Sequence, residues 1–88
     1  MGYLSLLDAY NRVLKTILRL ALERGVETDD GILIQQLPSQ EQVAHMAGTS
    51  RETVNRVLKQ LEEEGDIVCR GRQTLVLRNH SQEEHAHS

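Results

Sequence analysis

Three stretches of helical periodicity, a glycine-centred turn between the second and third, and two short apolar runs flanking Gly71 predict a mainly α fold with a small β component. The expected architecture is a winged helix-turn-helix: three main helices, a short strand and a β-hairpin wing. The 88 residues make one small domain. A chain of that size buries about 60–65% of its unfolded surface. That suffices for a three-helix core and is too little for a large enclosed substrate pocket.

Asp8 is placed to cap the first long helix. After it Tyr10, Val13, Leu14, Ile17, Leu18 and Ala21 recur at helical spacing as a core stripe, with Arg12, Lys15, Arg19 and Glu23 on the other face. Gly25 ends the helix. Leu4, Leu6 and Leu7, in residues 1–7, lie before that cap and fit a preceding helix. Val26 to Gly31 reads as a polar loop with two adjacent aspartates, and Ile32 to Gln36 as a strand. Pro38 ends that strand. Ser39 caps a short helix over Glu41 to Ala47, and Gly48 breaks it where the turn favours a positive φ. Ser50 caps the next helix, which runs to about Glu64 and stops at Gly65. Ile67 to Arg70 and Thr74 to Arg78 read as two strands joined through Gly71 and Arg72. The domain is expected to span residues 8–78, and residues 79–88 form a polar, disordered tail.

The net charge of −3 is unevenly distributed. Acids collect at Glu23 to Asp30 and at Glu62 to Asp66. Arg51, Arg56 and Lys59 face Glu52 alone between Gly48 and Leu61, and Ile67 to Arg78 holds arginines and no acid. For docking on phosphates the local sign outweighs the total. Two tyrosines are the entire aromatic content, which disfavours single-strand binding by base stacking. Cys69 is the sole cysteine, so there is no internal disulfide, and a reducing, cytoplasmic setting fits. No apolar run approaches a membrane span. No paired-carboxylate motif, nucleophile elbow or phosphate-binding glycine loop suggests an enzyme. No cofactor is expected within the chain. His80, His85 and His87 in the tail are a weak metal-binding pattern and more often carry no ligand. His45 is expected at the surface, and Cys69 as a small core residue on a wing strand.

The segment from Gln40 to Leu61, QEQVAHMAGTSRETVNRVLKQL, carries the functional signal. Ala44 and Gly48 are small enough for two helices to cross steeply, and Val43, Ala47, Val54, Val57 and Leu58 fill the joint. With Arg51 at zero on the third helix, Asn55 falls about 40° round, Lys59 about 80°, Glu52 about 100° and Arg56 about 140°. The apolar Val54, Val57, Leu58 and Leu61 lie on the opposite arc. Arginine forks onto guanine O6 and N7, and glutamate accepts from the cytosine amine. Arg51, Glu52 and Arg56 are therefore the candidate base readers. The bland alternative makes Glu52 and Arg56 a surface pair worth about 0.2–0.5 kcal/mol. Candidate DNA-backbone contacts are Ser39, Gln40, Ser50, Thr53, Asn55, Lys59, Arg70 and Arg72, the last two at the wing tip. The helix starting near Ser39 adds backbone N–H groups for a phosphate.

GTSRETVNRVLKQLEEEGDI resembles the recognition helix of the C-terminal DNA-binding domain of the Crp/Fnr family, the cyclic-AMP receptor protein group of bacterial transcription regulators. LLDAYNRVLKTILRLALERG is similar to that domain's hinge and first helix, and CRGRQTLVL to its wing. The resemblance implies that Arg51, Glu52 and Arg56 read a TGTGA-like half-site of double-stranded DNA. It implies homodimers on palindromes in the full-length setting, with Asp8 at the hinge between sensor and DNA-binding domains and residues 1–7 as a hinge or the remnant of a preceding dimerisation helix. Gln40 stands where the cyclic-AMP receptor has an arginine. The family's effector site lies in an N-terminal domain that this sequence lacks. The chain is thus expected to be an excised domain or a natural short form, monomeric or weakly dimeric. In members that contact RNA polymerase, the loop after the first helix contributes, and Val26 to Asp30 occupies that place.

Two rivals stand beside this. LPSQEQVA followed by SRETVNRVLKQLEEEG is also similar to the GntR-type regulators, although GRQTLVL lacks their Gly-Thr-Phe-like wing tip. A winged helix used for protein–protein contact is the other, and the Arg51 and Arg56 pattern argues against it.

Overall fold

The computed structural model describes residues 2–77. The order is α1 (Gly2–Arg24), β1 (Val26–Glu27), β2 (Gly31–Ile34), α2 (Gln40–Ala47), α3 (Arg51–Glu63), β3 (Ile67–Arg70) and β4 (Gln73–Leu77). The strands form one antiparallel sheet in the order β1-β2-β4-β3. This is the expected winged helix-turn-helix, with one strand more than the sequence suggested.

Local chemistry explains most boundaries. Ser39 accepts from the backbone N–H of Gln42 while the Gln42 side chain accepts from the Ser39 N–H, both at 3.2 Å, which closes a capping box. Gly48 ends α2 at φ 73, in the left-handed region that favours glycine. The Ser50 hydroxyl accepts from the Thr53 N–H and caps α3. Gly71 turns the β3–β4 hairpin at φ 61, with Arg70 opposite Gln73.

Three expectations about where elements begin and end need correction. Asp8 is not an N-cap, because α1 runs unbroken from Gly2 and Asp8 instead pairs one turn on with Arg12, at 3.0 Å. The supposed loop from Val26 contains β1, which pairs with β2 through Val26–Leu33 and Glu27–Ile32. The first strand is shorter than expected: it ends at Ile34, and Gln35 and Gln36 form a bend. Arg78, the tail at 79–88 and its histidines lie outside the described residues.

The core joins all three helices to the sheet. Val13, Ile17, Leu20 and Ala21 of α1 meet Val43, Ala44 and Ala47 of α2, Val54, Val57, Leu58 and Leu61 of α3, and Ile34 and Ile67 of the sheet. Each fully buried Val, Leu or Ile contributes about 1.5–3 kcal/mol. Leu18 was expected in this set and is exposed, whereas Leu20 and Thr16 are buried. The Thr16 hydroxyl donates back to the Arg12 carbonyl at 2.8 Å, which satisfies it inside the helix. Ala44 and Ala47 are buried in this core, whereas Gly48, expected at the crossing of α2 and α3, is exposed, and an added Cβ there would meet Arg12 of α1 and no atom of α3.

Candidate nucleic-acid interface

Packing α3 through Val54, Val57, Leu58 and Leu61 turns its opposite face outward. Arg51, Glu52, Asn55, Arg56 and Lys59 are all exposed on it. Glu52 and Arg56 do not close into an ion pair, whereas Asp8 and Arg12 do, at 3.0 Å. The surface-pair alternative thus loses its contact, and the Arg56 guanidinium and Glu52 carboxylate remain available to an outside partner.

The two edges of that face differ. On one edge, Gln40 at the start of α2 donates from Nε2 to Oδ1 of Asn55 at 3.4 Å. On the other, Arg56 borders a cleft of about 410 Å³ between α1 and α3, lined by Leu7, Tyr10, Thr53, Val57, Gln60 and Glu64. Tyr10 donates its hydroxyl to Glu64 at 3.1 Å, and Gln60 donates to the second Glu64 oxygen at 3.2 Å. Burial and the Glu64 carboxylate raise the Tyr10 pKa above its ordinary value, Asp66 adding to the effect. Glu64 is thereby tied to its neighbours.

The hydroxyls among the candidate backbone contacts are engaged in capping. Ser39 is bound to Gln42, and Ser50 Oγ lies 2.9 Å from Thr53 Oγ1. Ser39 and Ser50 remain exposed, while Thr53 and Gln40 are half-buried. A start-of-helix cap leaves the first backbone N–H groups of α2 without intrahelical partners, so an anion can be received there.

The wing is tied to the same corner. The Leu37 N–H donates to the Arg72 carbonyl at 2.9 Å, which holds the hairpin tip against the entry to α2. An open groove of about 690 Å³ results, walled by Pro38, Ser39, Gln42, His45 and Met46, with Arg24 and Arg72 on its rim. Arg70 and Arg72 are both exposed beside Gly71. The structure thus brings Ser39, Gln40 and Arg72 into one region, and Arg51, Glu52, Asn55, Arg56 and Lys59 onto one face.

Sequence reasoning missed two residues, Arg24 and Arg12, and the contact between Gln40 and Asn55. Arg24 joins Arg72 through the fold alone. Arg12 reaches the Gly48 carbonyl from a different helix. The Gln40–Asn55 contact spans 15 positions, and no periodicity signals it. His45 is exposed as expected. Cys69 is only half-buried: it packs against the core, and its Sγ accepts from the Thr74 hydroxyl at 3.9 Å.

Residues 11–82 match the family described as the Crp-like helix-turn-helix domain. The chain is 35% identical over 77 residues to the cAMP-activated global transcriptional regulator CRP of Salmonella typhimurium, covering 86% of this chain and 36% of that protein. It is 36% identical over 77 residues to the cAMP-activated global transcriptional regulator Vfr of Pseudomonas aeruginosa, covering 86% of this chain and 35% of that protein. The crystal structure of the Thermus thermophilus catabolite activator protein aligns with a TM-score of 0.69 at 38% identity, over 98% of this chain and 37% of that one. The chain thus spans about a third of the length of these relatives. The relatives are transcription regulators and not enzymes. Of the two winged-helix families that the sequence resembles, the Crp-like one is matched, and the chain belongs to that Crp-like helix-turn-helix domain family of the Crp/Fnr transcription regulators.

Proposed function

We propose that this chain is a sequence-specific, double-stranded-DNA-binding domain of a transcription regulator, with α3 lying in the major groove. The observation that carries the reading is the outward face of α3: Arg51, Glu52 and Arg56 are exposed and unpaired on a helix whose other side is core. In this reading Arg51 and Arg56 fork onto guanines and Glu52 accepts from a cytosine amine, as a TGTGA-like half-site would require. Arg70, Arg72, Lys59 and the start of α2 engage phosphates and fix the register. The exposed hydroxyls of Ser39 and Ser50 lie at helix starts from which a phosphate can be reached.

In a full-length regulator this unit acts as one half of a homodimer on a palindrome, in the cytoplasm, with RNA polymerase as the downstream partner. By itself the domain engages a half-site weakly, because the avidity of the second half-site is missing.

Fluorescence anisotropy tests the proposal, using a TGTGA-type palindrome and a scrambled duplex at several salt concentrations. Tighter binding to the palindrome, with a steep salt dependence, supports it. Equal weak binding to both removes the half-site assignment and leaves duplex binding. No binding at low salt overturns the reading and favours a winged helix used for protein–protein contact.

A further inference from the structure

The sequence pattern alone groups Asn55 with the phosphate contacts, but its place in the fold is different. It lies about 40° round α3 from Arg51 and about 60° from Glu52, between these two base readers in angle and on the side of the face that meets α2. It is exposed, and it is the residue on that face whose side chain is held by another element: Gln40 Nε2 donates to its Oδ1 at 3.4 Å. Gln40 is half-buried at the first position of α2, which Ser39 and Gln42 cap, so the donor stands on an anchored helix start.

This contact fixes which way the Asn55 amide faces. An amide oxygen has two lone pairs and its NH₂ has two donors. Gln40 takes one lone pair. The Nδ2 donors and the second Oδ1 lone pair remain, and both are free for an outside partner. A donor and an acceptor side by side match the N7 and N6 edge of adenine, the pairing that asparagine makes in a major groove. A phosphate offers acceptors only and would leave the second lone pair unused.

We propose that Asn55 is a specificity-determining residue that selects an adenine beside the base pairs read by Arg51 and Glu52, with Gln40 as its positioning residue. The inference rests on the DNA-binding reading above. It adds a fourth base-reading position and gives Gln40 a role other than holding a phosphate.

The test uses duplexes selected from a randomised pool by the unaltered chain, each base pair then replaced in turn by the other three. Affinities are measured by anisotropy at several salt concentrations. Asn55→Ala is expected to abolish an adenine preference on the order of ten-fold at one base pair, with the other pairs and the salt slope unchanged. Gln40→Met, which keeps the side-chain length and loses the donor, should weaken the preference at the same pair. Gln40→Arg, which keeps a donor, should retain it. In the Asn55→Ala background, Gln40→Met should have no further effect at that pair. Far-UV circular dichroism checks that each variant folds. Uniform weakening of all duplexes by Asn55→Ala, with a shallower salt slope, would make it a phosphate contact and overturn the proposal alone. An effect of Gln40→Met at a different pair would remove the positioning role. Failure of the unaltered chain to select any duplex overturns the proposal together with the DNA-binding reading.

Discussion

Arg12 on α1 donates from Nη1 to the carbonyl oxygen of Gly48, at 3.4 Å, at the turn between α2 and α3. Its Nε is held by Asp8 at 3.0 Å. A cation from the first helix therefore sits on the turn that sets the angle between the other two. Both partners of the ion pair are more than half exposed, so the pair itself is worth at most about 1 kcal/mol. Gly48 is the more sensitive member. Its φ of 73 disfavours any side chain, and an added Cβ would stand 3.3 Å from Arg12 Nη1. Gly48→Ala is expected to destabilise the fold by about 1–2 kcal/mol, and Asp8→Ala by less than 1 kcal/mol, in urea denaturation. An Asp8→Ala loss as large as that of Gly48→Ala would mean that the pair carries more than its exposure allows.

A harsher outcome is expected at Gly25, between α1 and β1. A Cβ there would collide with the Ala21 carbonyl oxygen and the Ile32 side chain. The carbonyl accepts from the Gly25 N–H at 2.9 Å and cannot withdraw without unwinding the end of α1. Gly25→Ala should cost about 1–3 kcal/mol through overpacking. At the wing tip, Gly71→Ala meets open space and is strained only by its φ of 61, so its cost should be about 1–2 kcal/mol. Thermal denaturation of both variants measures these costs. A milder effect at Gly25 than at Gly71 would contradict the packing.

Arg56 and Arg72 should separate by the kind of contact they make. Arg56→Ala is expected to cost about 1–3 kcal/mol on a selected duplex and to relax preference at one base pair. Arg72→Ala should weaken all sequences alike and reduce the salt slope by about 1. If Arg72→Ala proves sequence-selective, the wing reads bases. Uniform weakening by Arg56→Ala would remove it from the base readers.

The Cys69 thiol is pushed above its ordinary value of 9.0, chiefly by burial. The Glu62 carboxylate, which accepts from the Cys69 N–H, pushes the same way, and the Thr74 hydroxyl opposes it. The folded chain therefore holds the thiol proton more tightly than the unfolded chain does. The resulting stability is complete below about pH 9 and is lost as the pH rises through the folded value. Tyr10 acts in the same direction from its ordinary value of 10.0. Cys69→Ser should flatten the decline of unfolding free energy above pH 9.0. The native thiol should also react more slowly with a disulfide reagent at pH 8 than the same thiol in the urea-unfolded chain. Equal rates in the two states would show that the fold does not protect it.

The parts of the fold that follow from short-range chemistry were legible in the residue order. Ser39 and Ser50 cap helices because their hydroxyls accept from a backbone N–H three residues on. Gly48 and Gly71 turn the chain because they occupy positive φ. The face of α3 is legible for the same reason: its apolar residues are confined to one arc, so its polar arc could only point outward. On α1 that logic fails, because apolar residues cover far more than one face. Val13, Ile17, Leu20 and Ala21 are buried, while Leu7, Leu18 and Leu22 are left exposed. Which arc is buried depends on where α2 and the sheet land, and no local preference encodes that.

Strand β1 has the same origin. Val26 and Glu27 are both exposed, and their strand character comes from hydrogen bonding to Leu33 and Ile32 across the turn. Asp8 looked like a cap because its residue type suits one. It lies within a helix because nothing before it breaks the backbone ladder and Arg12 pairs with it one turn on. At the interface, the residue types on α3 and their angular order come from the chain itself. The pairing of Gln40 with Asn55, the approach of Arg72 to the start of α2 and the reach of Arg12 to Gly48 come from packing. Contacts between separate elements depend on how those elements are laid against a shared core, and such placement is a property of the whole assembled chain.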